Sequence, residues 1–174
     1  MGSGEGAAAV SLDTLAFVAR FAKAGCSLCE SARAVAPVLA ARLEERGFVT
    51  LDLLEIDLFT GRCALTKYGA APSWLLSGGR ARKFCSHALP AGLDPGNAPP
   101  EPEYFDLKDT CTLVMLSDGV ADALDGDWFI SCARQCAAPG EMAAAAIDAA
   151  ARRAERPLDD MTALVISVTK CSEP

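Results

Sequence analysis

The sequence predicts an α+β fold, a layered sandwich in which helices group apart from mostly antiparallel strands. Three features carry that expectation. Apolar residues near the N-terminus recur at helical spacing, the middle of the chain switches to alternation punctuated by Gly turns, and a late Ala-rich helical block leads into one more apolar strand. At 174 residues the chain is read as a single domain over 1–174, long enough to hide roughly 70% of its unfolded surface without metal or disulfide staples.

Taken in order, Val10, Thr14, Phe17 and Phe21 form one helical line, and Leu12, Leu15, Ala19 and Ala22 a second, so residues 4–24 read as a helix with a wide buried stripe. Ser27 caps a second helix and Glu30 completes a capping box, with Ala32, Val35, Ala36 and Leu39 keeping the period until Pro37 kinks or ends it. The period then changes. "TLDLLEIDL" alternates, Thr60-Gly61 turns the chain, and "RCALTKY" returns, which makes a β-hairpin. "SWLLSGG" and "RARKFCS" form a second hairpin around Gly78-Gly79, and a continuous antiparallel meander is the economical arrangement. "LPAGLDPGNAPPEPE" is a loop by its Pro and Gly content. Strands resume at "YFDL" and at "CTLVMLSDG", the latter apolar enough to be buried on both faces. Helices follow at "DWFISCARQC" and "GEMAAAAIDAAARRAE", where Arg152 and Arg153 suit a helix end, and "MTALVISVT" is the last strand.

A formal net charge of -7 supplies no basic field for phosphate backbones, which argues against nucleic acid and anionic membrane surfaces as partners. The sequence has neither a long uncharged apolar run nor a secretory signal, so a cytoplasmic protein, or the soluble part of a longer membrane-attached one, is expected. The eight cysteines read as free, mostly buried thiols. Cys26 and Cys29 have zinc or redox spacing, and Cys132 and Cys136 could complete a zinc site only if folding brought the pairs together. The single His87 reads as a loop residue.

Chemistry is expected where carboxylates stand at strand ends: Asp118 in "VMLSDGVADA" and Asp159-Asp160 in "PLDDMTALVISV". Taken singly, Ser117 or Asp118 could simply cap the next helix. Taken together, converging carboxylates repel unless a hard cation such as Mg²⁺ or Mn²⁺ neutralises them.

"GSGEGAAA", "FVTLDLLEIDLFTG", "KYGAAPSWLL", "LPAGL", "LVMLSDGVADA" and "DDMTALVISV" resemble, in this order and spacing, the phosphatase domain of stage II sporulation protein E. That domain belongs to the PPM-type metal-dependent protein serine/threonine phosphatases. The resemblance implies two antiparallel sheets flanked by helices and a centre of two Mn²⁺ or Mg²⁺ ions. It implies that Asp118 and Asp159 are catalytic metal ligands, with Asp160 in the companion position behind them and Asp122 orienting the loop. The implied substrate is a phosphorylated regulatory protein of the anti-sigma factor antagonist type, and a homodimer fits the same picture. It further implies that the first two helices relay regulation to the site. The family's bridging ligand is the aspartate of an Asp-Gly-Met-Gly motif, of which only Met1-Gly2 is matched. The first strands of the sandwich are therefore expected to be missing and metal binding to be weak. Met1-Gly2-Ser3-Gly4 reads as the turn after that aspartate rather than as a tag remnant, and Met1 as a cut through the site.

Overall fold

The computed structural model describes residues 5–42, 48–93, 99–153 and 160–169. In chain order the elements are α1 (Glu5–Lys23), α2 (Leu28–Arg42), β1 (Leu51–Ile56), β2 (Arg62–Tyr68), β3 (Ser73–Ser77), β4 (Arg80–Phe84), β5 (Glu103–Asp106), β6 (Cys111–Leu116), α3 (Asp118–Ala121), α4 (Gly126–Gln135), α5 (Pro139–Arg153) and β7 (Ala163–Val168). They fall into two compact units: Met1–Ala70 with Ser86–Asp106, and Ala71–Cys85 with Leu107–Pro174.

The first unit holds α1, α2 and a sheet of order β1-β2-β5. Gly25 stops α1: at φ 96 it takes the left-handed conformation, while Cys26 N donates to Phe21 O (3.1 Å) and Gly25 N to Ala22 O (3.0 Å). These two bonds satisfy carbonyls that the helix end would otherwise leave open. The capping box forms as its residues predict. Glu30 N donates to Ser27 Oγ (3.2 Å) and Ser27 N to Glu30 Oε2 (2.9 Å), and these bonds hold the Glu30 carboxyl below the usual carboxylate range. Pro37 does not end α2, which runs on to Arg42.

Val18, Ala32, Val35 and Leu39 of the helices pack with Leu51, Leu53, Tyr68 and Ala91. The wide buried stripe expected of α1 narrows to one line, because Leu12 and Leu15 are 68% and 52% exposed. A helix packed along one side buries one stripe. The β1-β2 hairpin is antiparallel, with Leu51 opposite Tyr68 and Ile56 opposite Cys63. Asp57 fixes its turn by accepting from Phe59 N, Thr60 N and Thr60 Oγ1; the Thr60 hydroxyl bond is the main reason its carboxyl stays below the usual range. Asp52 and Lys67, opposite each other on the two strands, form a largely buried ion pair at 2.6 Å.

The second unit holds a sheet of order β4-β3-β6-β7 with α3, α4 and α5. Gly78 and Gly79, at φ 55 and 74, make the tight hairpin turn the sequence requires. The continuous meander is not what forms. The β3-β4 hairpin leaves the first sheet and β5 returns to it. The reason lies in β6: with Cys111, Leu113, Val114 and Leu116 all buried, it takes an interior place between β3 and β7 and so recruits β3 as its neighbour. Trp74, Leu76, Val114, Leu116, Val120 and Phe129 form the core with Met142, Ala146 and Ala150 of α5. Phe129 anchors it, with Trp128 edge-on at 5.1 Å and Trp74 at 6.0 Å between ring centroids. Asp125 caps α4 by accepting from Trp128 N (2.9 Å), and this presents Phe129 inward.

Candidate active site at the ends of β6 and β7

Because β6 and β7 pair antiparallel with Leu116 opposite Ala163, the C-terminal end of one lies beside the N-terminal end of the other. One residue joins the two ends. Ser117 N donates to Thr162 O (2.9 Å), Thr162 N donates to Ser117 Oγ (2.9 Å), and Ser117 Oγ–H donates to Asp160 O (3.2 Å). The hydroxyl that the sequence offered as a helix cap makes no cap bond to α3. It is spent on tying Ser117-Asp118-Gly119 to Asp160-Met161-Thr162.

This clasp sets Asp118 and Asp160 at the same end of the sheet, both exposed. Asp118 is the first residue of α3, and its Oδ1 accepts from Gly119 N at 3.1 Å. Two anchors hold that short helix: Val120 is fully buried, and Arg153 at the end of α5 donates Nη1 to Ala123 O (2.8 Å). Asp122 closes α3 through its backbone N–H to Asp118 O (3.2 Å), with its own side chain exposed. Asp159 and the Met1-Gly2-Ser3-Gly4 turn lie outside the described residues.

Among the described residues, no three or more His, Cys, Asp or Glu side chains come together as a metal site, and Asp118 has no ion pair. The donor chemistry at the clasp is nevertheless oxygen alone, the set that suits Mg²⁺ or Mn²⁺ and not a thiophilic ion. The cysteines do not compete for the role. Cys26, Cys29, Cys63, Cys85, Cys111, Cys132 and Cys136 are free thiols, and His87 is an exposed loop residue. Cys132 and Cys136 do approach, with sulfurs 3.5 Å apart, and burial together with that contact pushes the Cys132 thiol up to about 11. Sequence reasoning missed the clasping role of Ser117 and the anchoring by Arg153. The signal for the first was present in the pairing of Ser-Asp-Gly with Asp-Asp-Met-Thr, but the second has no local signature.

The fold is that of the PP2C-type phosphatases. The chain superposes with a TM-score of 0.80 and 25% identity on a Bacillus subtilis structure comprising the PP2C phosphatase domain and a fragment of the regulatory domain of SpoIIE, over 95% of this chain and 51% of that one. It also superposes, at 0.70 and 19% identity, on the catalytic domain of the serine/threonine phosphatase PstP in complex with two manganese ions, over 96% of this chain and 83% of that one. The family model of stage II sporulation protein E (SpoIIE) matches residues 1–169, and the chain belongs to that family. Stage II sporulation protein E of Priestia megaterium is 30% identical over 127 residues, and that of Bacillus subtilis strain 168 is 28% identical over 120 residues. Each alignment covers 69% of this chain, which spans only 20% and 14% of those two proteins.

Proposed function

We propose that this chain acts as a metal-dependent protein serine/threonine phosphatase domain, with Asp118 and Asp159 as catalytic metal ligands and Asp160 in the position behind them. The Ser117 clasp carries the reading, because it brings Ser117-Asp118-Gly119 and Asp160-Met161-Thr162 to one sheet end. The manganese-bearing PstP domain supports Mn²⁺, with Mg²⁺ as the alternative, and two ions as the full complement. When bound, such ions neutralise phosphate oxygens and supply a nucleophilic water at neutral pH.

The chain's own residues do the positioning. Val120 and Arg153 fix the short helix on which Asp118 stands, and Ser117 fixes its distance to the Asp160 backbone. Exposure leaves the Asp118 carboxylate open to a cation and to a phosphorylated side chain arriving from solvent. Among the described residues no helix is long and apolar enough to cross a membrane. The substrate class we infer is phosphoserine or phosphothreonine on a regulatory protein of the anti-sigma factor antagonist type, acted on in the cytoplasm; a homodimer is compatible with it.

The family's bridging aspartate is not among these 174 residues, and we propose that metal binding and turnover are weak without it. Hydrolysis of a phosphoserine peptide with Mn²⁺ tests the reading. A longer chain with Asp-Gly ahead of Met1 is active, the 174-residue chain is far weaker, and Asp118→Asn lowers the longer chain's rate by about 10²-fold or more without loss of fold. Activity indifferent to metal and to Asp118 overturns the assignment. Phosphopeptide binding without turnover in both chains favours a non-catalytic, phosphatase-like regulatory module instead.

A further inference from the structure

The chain carries a net charge of -7, yet three of the four residues from Arg80 to Lys83 are basic. They lie on β4, an edge strand of the sheet ordered β4-β3-β6-β7. Arg80, Arg82 and Lys83 are all exposed. A fourth cation joins them from α4, where the exposed Arg134 reaches to 3.8 Å from the place a Cβ on Gly79 would take. Among the described residues Arg80, Lys83 and Arg134 have no ion pair. Two of the side chains are braced against rings, Lys83 Nζ over Trp74 at 5.4 Å and Arg82 Cζ over Phe84 at 4.6 Å.

The backbone of this strand is open as well. Gly78 and Gly79 alone connect β3 to β4, so Ser77 and Arg80 flank the turn as a hydrogen-bonded pair. Such pairs alternate along an antiparallel ladder, which turns the N–H and C=O of Arg80 and Arg82 toward β3 and those of Ala81 and Lys83 toward the outer edge. Among the described residues no backbone hydrogen bond reaches Ala81 or Lys83 from that side. Open edge groups are a template for another strand. The row of cations bars a second copy of β4 from that place, because like charges would stand opposite one another, and it favours a strand of the opposite sign.

We propose that the outer edge of β4 is a docking site for an extended acidic segment of a partner protein, which adds to the sheet as a fifth strand. The segment runs antiparallel to β4, continuing the pairing of the sheet it joins. Its backbone exchanges hydrogen bonds with Ala81 and Lys83, and its side chains alternate between the two sheet faces. Arg80 and Arg82 share one face, so they meet carboxylates two residues apart in the segment. Lys83, on the other face, adds to the same field. Main-chain bonds set the strand geometry, and the cations select the sign of the partner.

The test is fluorescence anisotropy of the full chain with a labelled Thr-Glu-Val-Glu-Val-Glu-Thr peptide, with amide exchange read on the same mixture. Binding that weakens as salt rises is expected, together with slowed exchange of the Ala81 and Lys83 N–H groups. Changing Arg80→Gln and Arg82→Gln together is expected to weaken binding about tenfold, with circular dichroism showing that the sheet is kept. A peptide N-methylated at both valines keeps every charge but loses the donors that face β4, and it is expected to bind at least about tenfold more weakly. Equal binding of the N-methylated peptide, equal binding by the double variant, or unchanged exchange at Ala81 and Lys83 overturns the proposal. Tighter binding of oligo(dT) or of phosphatidylserine vesicles than of the peptide also overturns it and assigns the edge to a phosphate-bearing partner. None of these readouts depends on phosphatase activity.

Discussion

The four-stranded unit buries Trp74, Leu76, Val114, Val120 and Phe129 in a core whose one buried polar residue among those described is Ser73. The three-stranded unit places Thr14, Ser31, Thr66 and Lys67 inside, beside its aliphatic side chains, and leaves Leu12, Leu15, Leu58, Phe59 and Tyr104 exposed. The contrast teaches where each kind of chemistry can sit. An apolar core holds its backbone by close packing and gives the carboxylates at its sheet end fixed positions. An interior with polar groups depends on each one being satisfied, as the largely buried Lys67 is by Asp52.

The contrast can be broken hardest at the center of the apolar core. Phe129→Ala removes the ring between Trp74 and Trp128 and is expected to cost about 3–5 kcal/mol in urea unfolding; a cost below about 1 kcal/mol would mean this core is not tightly packed. Next is the clasp. Ser117→Ala leaves Thr162 N without its side-chain acceptor and should cost about 1–3 kcal/mol, with weaker Mn²⁺ binding by calorimetry. Unchanged metal binding would separate the clasp from the metal site. In the three-stranded unit, Ser27→Ala dismantles the capping box for about 1 kcal/mol, read as faster amide exchange in the first turn of α2.

The smallest effect is a pH dependence that belongs to the four-stranded unit. The folded-state pKa of Cys132, about 11, lies above its ordinary value of 9.0, so the folded protein keeps a proton that the unfolded chain gives up. Its contribution is full below pH 9.0 and is lost as pH rises toward about 11. Under reducing conditions, the wild-type denaturation midpoint should therefore fall across that window more steeply than that of Cys132→Ala. Parallel curves would show that the thiol does not report on the core.

Much of this protein is local enough to read directly from its residues. The capping box at Ser27 and Glu30, the two hairpins and the Ala-rich α5 each depend on groups a few positions apart, and each forms where that spacing puts it. Both segments of the candidate site were equally legible, since Asp118 and Asp160 stand at the ends of apolar strands. What those residues could not decide is non-local. The Gly78-Gly79 turn makes β3 a hairpin strand, but only the demand of β6 for two buried neighbours takes it out of the β1-β2 sheet. The second line of α1 is apolar in sequence, yet Leu12 and Leu15 are exposed. Ser117 could cap a helix as well as clasp a strand; its choice was made when β7 came alongside β6 and offered Asp160 O and Thr162 N, groups 43 and 45 residues away in the chain. The sequence by itself determined the elements and the chemistry they carry, because short-range hydrogen bonds and periodicity are written residue by residue. Tertiary structure decided which ends meet, because that is settled by which apolar faces can be buried together.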